Sequence, residues 1–275
     1  MKHKKVILIT GTSRGIGKAT ADYLKAKEYI VYGSSRGAAS RSINQLQLEV
    51  TDFESCKSAV EEVVKREGRL DVLINNAAYE LVGAHEEYTV EEIRDQVEVN
   101  FFGALHMMKA ATPQMLKQKS GNIINISSIG SDFGWTFNGA YSAGKFALHG
   151  YSEAIRREFL PLGINVSLIS PAGVASGTTN ISVQHSKNRH PLFEKASHAA
   201  FEYSHSGGDL KMASSMETVA QTIEKVIETK HPKFIYRVGF VPRLMQFMNT
   251  ILSQKGFEKF IMKAFKVPTT APSNY

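Results

Sequence analysis

The sequence holds a single cysteine, Cys56, so neither an intrachain disulfide nor a multi-thiolate metal site can form, and a reducing compartment is the simpler expectation. Proline is scarce, at 8 of 275 residues, and no Pro-rich or Gly/Ser-rich linker and no internal repeat divides the chain. No run of about 18 apolar residues occurs, so no bilayer-spanning helix is expected. The amino-terminal run Val6-Ile7-Leu8-Ile9 stops at Thr10-Gly11, too short for a signal-peptide core, and a cytoplasmic location follows as the expectation.

What is present is the makeup of a globular protein, 43% hydrophobic and 21% charged, which excludes a disordered or collagenous chain. A length of 275 residues suits one large α/β domain, residues 1–275, with a single core. The net charge of +7 becomes informative once located. From His231 to Tyr275 the cations Lys233, Arg237, Arg243, Lys255, Lys259, Lys263 and Lys266 face Glu258 alone, so +6 belongs to the carboxyl end and the rest is nearly neutral. That distribution speaks against nucleic acid as a partner of the whole chain.

Short β-branched runs alternate with stretches of helical period, the pattern of a Rossmann-like, doubly wound, mostly parallel sheet with helices on both faces. Seven strands are expected, at Lys5–Thr10, Ile30–Ser34, Gln45–Val50, Asp71–Ile74, Asn122–Ser127, Asn165–Ser170 and Phe234–Val238. Helices are expected over Gly17–Lys27, Phe53–Arg66, Val90–Leu116, Ala140–Leu160 and Glu217–Thr229. Ala175–Ala213 lacks a clear period and reads as loop or short helix, a length usual for a lid or binding segment.

Directly after the first strand, Thr10-Gly11-Thr12-Ser13-Arg14-Gly15-Ile16-Gly17 opens a helix. In that context Gly11 permits a tight turn, Gly15 lets backbone approach phosphates and Gly17 lets helix and strand pack, while the helix amino terminus favours a pyrophosphate. A bare structural turn is the plainer alternative. The end of the second strand, Tyr32-Gly33-Ser34-Ser35-Arg36, has no carboxylate to bond a ribose 2′-hydroxyl. Hydroxyls followed by Arg36, with Arg14 close by, suit a 2′-phosphate instead, so NADP(H) is expected over NAD(H).

Tyr141 and Lys145 lie four apart, on one face of a helix. Tyr23 and Lys27 share that spacing and read as a surface pair. Ser128 follows the strand Asn122–Ser127, at the carboxyl edge where ligands bind in open α/β sheets.

With these marks in order, together with Asn75-Asn76-Ala77, Asn100 and Pro171-Ala172-Gly173, the chain resembles the short-chain dehydrogenase/reductase family over about its first 180 residues. The resemblance implies that Tyr141 is the catalytic acid/base and that Ser128 positions the substrate oxygen. It further implies that Lys145 holds the nicotinamide ribose and lowers the tyrosine pKa, and that Asn100 supports a proton-relay water. Asn76 and Ala77 would line the cofactor and Val50 would flank the adenine, with Glu49 where the family usually has aspartate. Pro171 and Val174 would also bind the cofactor, with Ser176 or Thr178 near the nicotinamide carboxamide. The family's glycines are alanines at Ala78 and Ala172, which matters mainly where φ must be positive.

Phe133, Trp135 and Phe137 lie between Ser128 and Tyr141 and could line an apolar pocket, with core packing the alternative for each. Residues 174–212 would form the substrate lid. His185, His190, His198 and His205 fall there at spacings of 5, 8 and 7 that fit no ligand motif, so no metal is expected. The carboxyl-terminal extension 241–275 is basic and amphipathic, with Leu244, Phe247, Met248, Ile251 and Leu252 and then Phe257, Phe260, Ile261, Ala264 and Phe265 at helical spacing. It reads first as helices over the sheet edge or a subunit contact, and more sharply as a peripheral membrane contact through 241–266.

The expected function is NADP(H)-dependent transfer of hydride between nicotinamide and the carbonyl/secondary alcohol of a large apolar substrate of steroid, retinoid or acyl type. The alternatives are a 3-ketoacyl reductase of lipid synthesis, a non-catalytic NADP(H)-sensing module and a membrane-surface scaffold. Family members often form dimers or tetramers, so a homo-oligomer is expected by resemblance.

Overall fold

The structure, a computed structural model, describes residues 4–37, 44–171, 174–175, 183–205 and 214–264. In chain order the first elements are β1 (Val6–Ile9), α1 (Gly15–Ala26), β2 (Ile30–Ser35), β3 (Gln45–Gln47), α2 (Phe53–Glu67), β4 (Val72–Asn75) and β5 (Glu80–Val82). They are followed by α3 (Val90–Val97), a π-helical segment (Glu98–Phe102), α4 (Gly103–Gln118), β6 (Gly121–Ile126), α5 (Gly139–Phe159), β7 (Ile164–Pro171) and β8 (Val174–Ala175). The remainder comprises β9 (Val183–His185), α6 (Glu194–His205), β10 (Ser214–Ser215), α7 (Met216–Glu228), β11 (Ile235–Val238), α8 (Phe240–Ile251) and α9 (Gln254–Ala264).

The main sheet is parallel and seven-stranded, in the order β3-β2-β1-β4-β6-β7-β11. Its central strands β1 and β4 are buried along their whole length because helices cover both faces. Val6 and Leu8 of β1 point into a core shared with Val60 of α2, Met107 of α4 and Leu148 of α5. Ile7 and Ile9 point into the opposite core, with Leu24 of α1 and Val219 and Ile223 of α7. Cys56 lies buried in the first core, and burial pushes its thiol up to about 12.

Strand order reverses between β1 and β4, so a crevice opens at their carboxyl ends. A buried polar chain ties the strands beside it together: Asn75 Nδ2 donates to Asn125 Oδ1 at 2.8 Å, and Asn125 Nδ2 donates to Ser152 Oγ at 2.8 Å.

All seven expected strands are present within a few residues of their predicted bounds. The single helix expected over 90–116 is instead α3 and α4 joined by the π-helical segment, which contains Asn100. The segment expected as loop or short helix contains the helix α6 and, beyond that expectation, β9, which pairs with β5 in a separate two-stranded ladder. Both strands are three residues long, too short for alternation to register in sequence. The expected surface pair is confirmed in part: Lys27 Nζ stands 5.5 Å from the Tyr23 ring, while the Tyr23 hydroxyl donates to Glu224 Oε2 at 2.6 Å, packing α1 on α7.

Candidate active site

One cleft of about 760 Å³ runs from the turn after β1 to the amino-terminal end of α5, within the ~300–1,000 Å³ usual for small-molecule and cofactor sites. At one end the turn is built by Thr10, whose hydroxyl accepts from Asn76 N at 3.0 Å and Ala77 N at 2.9 Å. Asn76 Nδ2 returns to the carbonyls of Thr10 and Gly11 at 2.9 and 3.0 Å. Gly11 sits at φ +72, and a Cβ there would come within 2.9 Å of Ala77 Cα. Gly15, at φ +60, borders the cleft with no atom within 4 Å of a Cβ position, so open backbone faces the cavity where a phosphate would approach.

Ser13, Arg14, Gly15 and Ile16, around the amino terminus of α1, line the cleft together with Ser35, Arg36, Glu49, Val50, Asn76 and Ala77. This arrangement fits a dinucleotide, with helix N–H groups for phosphate and two guanidinium-bearing residues at the far end. Ala78, also on the cleft wall, is not among the residues with positive φ, so its methyl introduces no backbone strain.

At the other end stand Ser128, Tyr141 and Lys145. Ser128 follows β6, and its Oγ accepts from Gly130 N at 3.2 Å, which caps the short turn Ile129–Ser131. Tyr141 and Lys145 occupy one face of α5. Gly144 between them sits 3.2 Å (Cβ position) from Asn100 Cβ, bringing α5 close against the π-helical segment. Lys145 is 3% exposed, and its Nζ donates to the Ile126 carbonyl at 2.8 Å. Burial lowers its pKa to about 8, opposed by the charge of Glu80. Burial raises the Tyr141 phenol above its ordinary value, the Glu80 carboxylate raises it further, and a hydrogen bond with Ser128 pulls it back. The phenol, expected to be lowered by Lys145, is therefore raised here by burial and by Glu80, with only Ser128 lowering it.

The structure thus brings Gly11, Ser13, Arg14, Gly15, Ile16, Ser35, Arg36, Glu49, Val50, Asn76, Ala77, Ser128, Tyr141, Lys145, Pro171 and Val174 to one cleft. Two expected site residues stand behind its wall. Gly17 is a packing position: a Cβ there would lie 2.3 Å from both Asn76 Nδ2 and the Gly11 oxygen. Asn100 is 2% exposed, and its amide is engaged with Tyr79, accepting from Tyr79 N at 3.1 Å and donating to Tyr79 O at 2.8 Å. Ser176, Thr178 and Ala172 lie outside the described residues.

Of the three loop aromatics, Trp135 lines the cleft and Phe133 is buried against Met245 of α8 and Phe257 and Ile261 of α9. Phe137 sits at φ +61, with its carbonyl accepting from Gly83 N at 2.8 Å and Tyr88 Oη at 3.0 Å. Residues not singled out from sequence also face the cleft around Tyr141: Glu80 on β5 and, within the segment expected as a substrate lid, Gln184 on β9 and Tyr203 and Ser204 on α6. No motif marks them, because the short β5–β9 ladder and α6 carry them there. Among the described residues, no helix is long and apolar enough to cross a membrane.

A doubly wound sheet with this turn at its crevice and a Ser-Tyr-Lys constellation at the strands' carboxyl edge defines a nucleotide-dependent oxidoreductase. The chain belongs to the short-chain dehydrogenase/reductase family, matching the short chain dehydrogenase description over residues 5–190. It is 46% identical over 178 residues to a 3-ketodihydrosphingosine reductase of Bacteroides thetaiotaomicron, a match covering 64% of this chain and 66%, just under two thirds, of that protein. Its fold superimposes on a short-chain dehydrogenase from Streptomyces avermitilis with a TM-score of 0.81 at 28% identity, covering 97% and 98% of the two chains. ElxO with NADP bound matches with a TM-score of 0.69 at 27% identity, covering 86% of this chain and 97% of that one.

Proposed function

We propose that the chain is an NADP(H)-dependent reductase of a ketone carried on a largely apolar, acyl-type molecule. The observation that carries the reading is a single cleft with Ser128, Tyr141 and Lys145 at one end and Ser35 and Arg36 at the other. The NADP-bound ElxO supports the cofactor, and the relative named for a 3-keto lipid base supports the substrate type.

Gly15 and Ile16 would hold the pyrophosphate at the amino terminus of α1, Arg14, Ser35 and Arg36 the 2′-phosphate, Val50 the adenine, and Asn76 and Ala77 the middle of the dinucleotide. When bound, the reduced nicotinamide supplies the hydride. Tyr141 then donates its phenolic proton to the substrate oxygen, and the Ser128 hydroxyl bonds the same oxygen and fixes its position. The Lys145 ammonium stabilises the phenolate that remains. Gln184, Tyr203 and Ser204, borne by residues 183–205, would close over the substrate as a lid.

The test is NADPH oxidation with long-chain 3-ketones, including a 3-ketoacyl thioester, against NADH as rival cofactor. NADPH should be preferred, and Arg36→Ala should raise KM for NADPH at least about tenfold while leaving that for NADH unchanged. Equal or tighter binding of NADH by the unaltered protein would overturn the cofactor assignment.

A further inference from the structure

Glu80 opens β5 and faces the cleft beside Tyr141, yet the reduction described above has no use for it. The donors to its carboxylate are neutral, Asn138 Nδ2 and the Ser204 hydroxyl, and among the described residues it forms no ion pair. Its charge nonetheless acts on both Tyr141 and Lys145. Lys145 offers it no direct contact, because the lysine Nζ is directed to the Ile126 carbonyl. A carboxylate has about four acceptor positions, so two neutral donors leave both its charge and part of its bonding capacity unmatched. Burial raises the carboxyl above its ordinary value, the behaviour of a desolvated carboxylate without a full counter-charge.

Glu80 and Asn138 line the cleft together with Ser128 and Tyr141, so a substrate whose oxygen meets the latter pair would bring the atoms beside its carbonyl carbon toward Glu80. A neutral chain in that position gains nothing from a carboxylate. A cationic group there would pair with it through charge-assisted hydrogen bonds. Without that carboxylate the same cation would be buried near the like charge of Lys145, at a large cost.

We propose that Glu80 is a subsite for an ammonium group neighbouring the reducible carbonyl, so that the substrates of this chain are long-chain amino ketones. The proposal rests on the carbonyl-reductase reading and narrows its substrate class. The rival role for Glu80 is purely structural, bracing Asn138 and Ser204. Glu80→Gln separates the two, since the glutamine amide keeps an acceptor for Asn138 and a partner for Ser204 but removes the charge.

The experiment uses the full chain with NADPH and two probes of equal length: 3-ketodihydrosphingosine, an amino ketone, and its neutral analogue with hydroxyl in place of the amine. The unaltered protein should favour the amine at least about tenfold in kcat/KM, and Glu80→Gln should lose at least about tenfold on the amine, chiefly through KM. On the neutral analogue the variant reads only what the lost charge does to Tyr141 and Lys145, and that change should be at least about tenfold smaller than the loss on the amine. As a binding readout, dodecylamine should inhibit the unaltered protein competitively and Glu80→Gln at least about tenfold less well, with dodecanol equal on both. Equal losses on both ketones, or a preference of the unaltered protein for the neutral one, overturn the proposal and leave the reductase reading standing. Turnover of neither ketone overturns the reductase reading and this proposal with it.

Discussion

Lys145 stands with its Nζ 5.6 Å from the centre of the Tyr141 ring, pinned there by its 2.8 Å hydrogen bond to the Ile126 carbonyl. The contact depends on the ring and on backbone, not on the phenolic hydroxyl. Tyr141→Phe should therefore leave the lysine, and NADPH binding, nearly unchanged while lowering ketone turnover at least about a hundredfold, the scale of a lost acid/base. Fluorescence titration with NADPH and steady-state turnover separate the two effects. Turnover retained in the variant would remove Tyr141 from the proton-donor role.

The same pair predicts a pH dependence. Burial lowers Lys145 to about 8 and raises Tyr141, so at pH 7 the lysine is charged and the phenol carries the proton it must give. As pH rises through about 8 the lysine loses its charge first, and kcat/KM for reduction should fall across that range. Lys145→Arg, whose guanidinium does not titrate there, should show lower activity without that inflection. A pH series from about 6.5 to 9.5 on both proteins checks it, and an unaltered protein with no inflection near 8 would contradict it. For stability the sign is the reverse of a salt-bridged lysine. The native pKa lies below the ordinary 10.5, so the burial penalty is felt below about 8 and fades as pH rises from about 8 to 10.5.

Much of this site was legible in the sequence because its parts are punctuated. Gly11 and Gly15 sit at positive φ, a demand only glycine meets cheaply, and Tyr141 and Lys145 are fixed by the helical period. The strands read correctly because parallel strands buried on both faces leave continuous apolar runs such as Val6–Ile9. Glu80 and Ser204 were not legible. They reach the cleft through a ladder of three-residue strands and through α6, and nothing local to either residue announces that long-range pairing. Asn100 was legible as a residue but not in its placement, because the π-helical segment that turns its amide onto Tyr79 interrupts what reads as one continuous helix.

Gly17 tests how tightly the nucleotide turn is packed. A Cβ at that position would meet Asn76 Nδ2 and the Gly11 oxygen, each at 2.3 Å, and these two atoms form the 3.0 Å hydrogen bond that closes the turn. Gly17→Ala should force them apart, cost about 1–3 kcal/mol in chemical denaturation and weaken NADPH binding. Gly150, inside α5, has nothing within 4 Å of a Cβ position, so Gly150→Ala should be stabilising by up to about 1 kcal/mol. Unchanged stability and cofactor affinity in Gly17→Ala would mean that the turn relaxes freely.

Tyr79, whose backbone Asn100 holds from both sides, provides a test at alkaline pH. Its phenol is pushed up to about 12, first by burial and then by the charges of Asp95 and Glu92. In the unfolded chain a tyrosine ionises near its ordinary 10.0, so between about 10 and about 12 the unfolded state sheds a proton that the native state retains. The stability this residue contributes is complete below about 10 and is lost across that interval. Tyr79→Phe removes the titration while keeping the ring, and Asn100 bonds only backbone atoms of residue 79, so stability at pH 7 should change little. Its alkaline unfolding midpoint should move upward relative to the unaltered protein. Tyr32, also pushed up to about 12, is the contrasting case, because its hydroxyl donates to Glu67 at 2.6 Å and Tyr32→Phe should lose stability at pH 7 as well. Thermal melts of the three proteins from pH 7 to 11 distinguish these behaviours. Parallel loss of stability in the unaltered protein and Tyr79→Phe above pH 10 would show that this phenol ionises in the folded chain as easily as in the unfolded one.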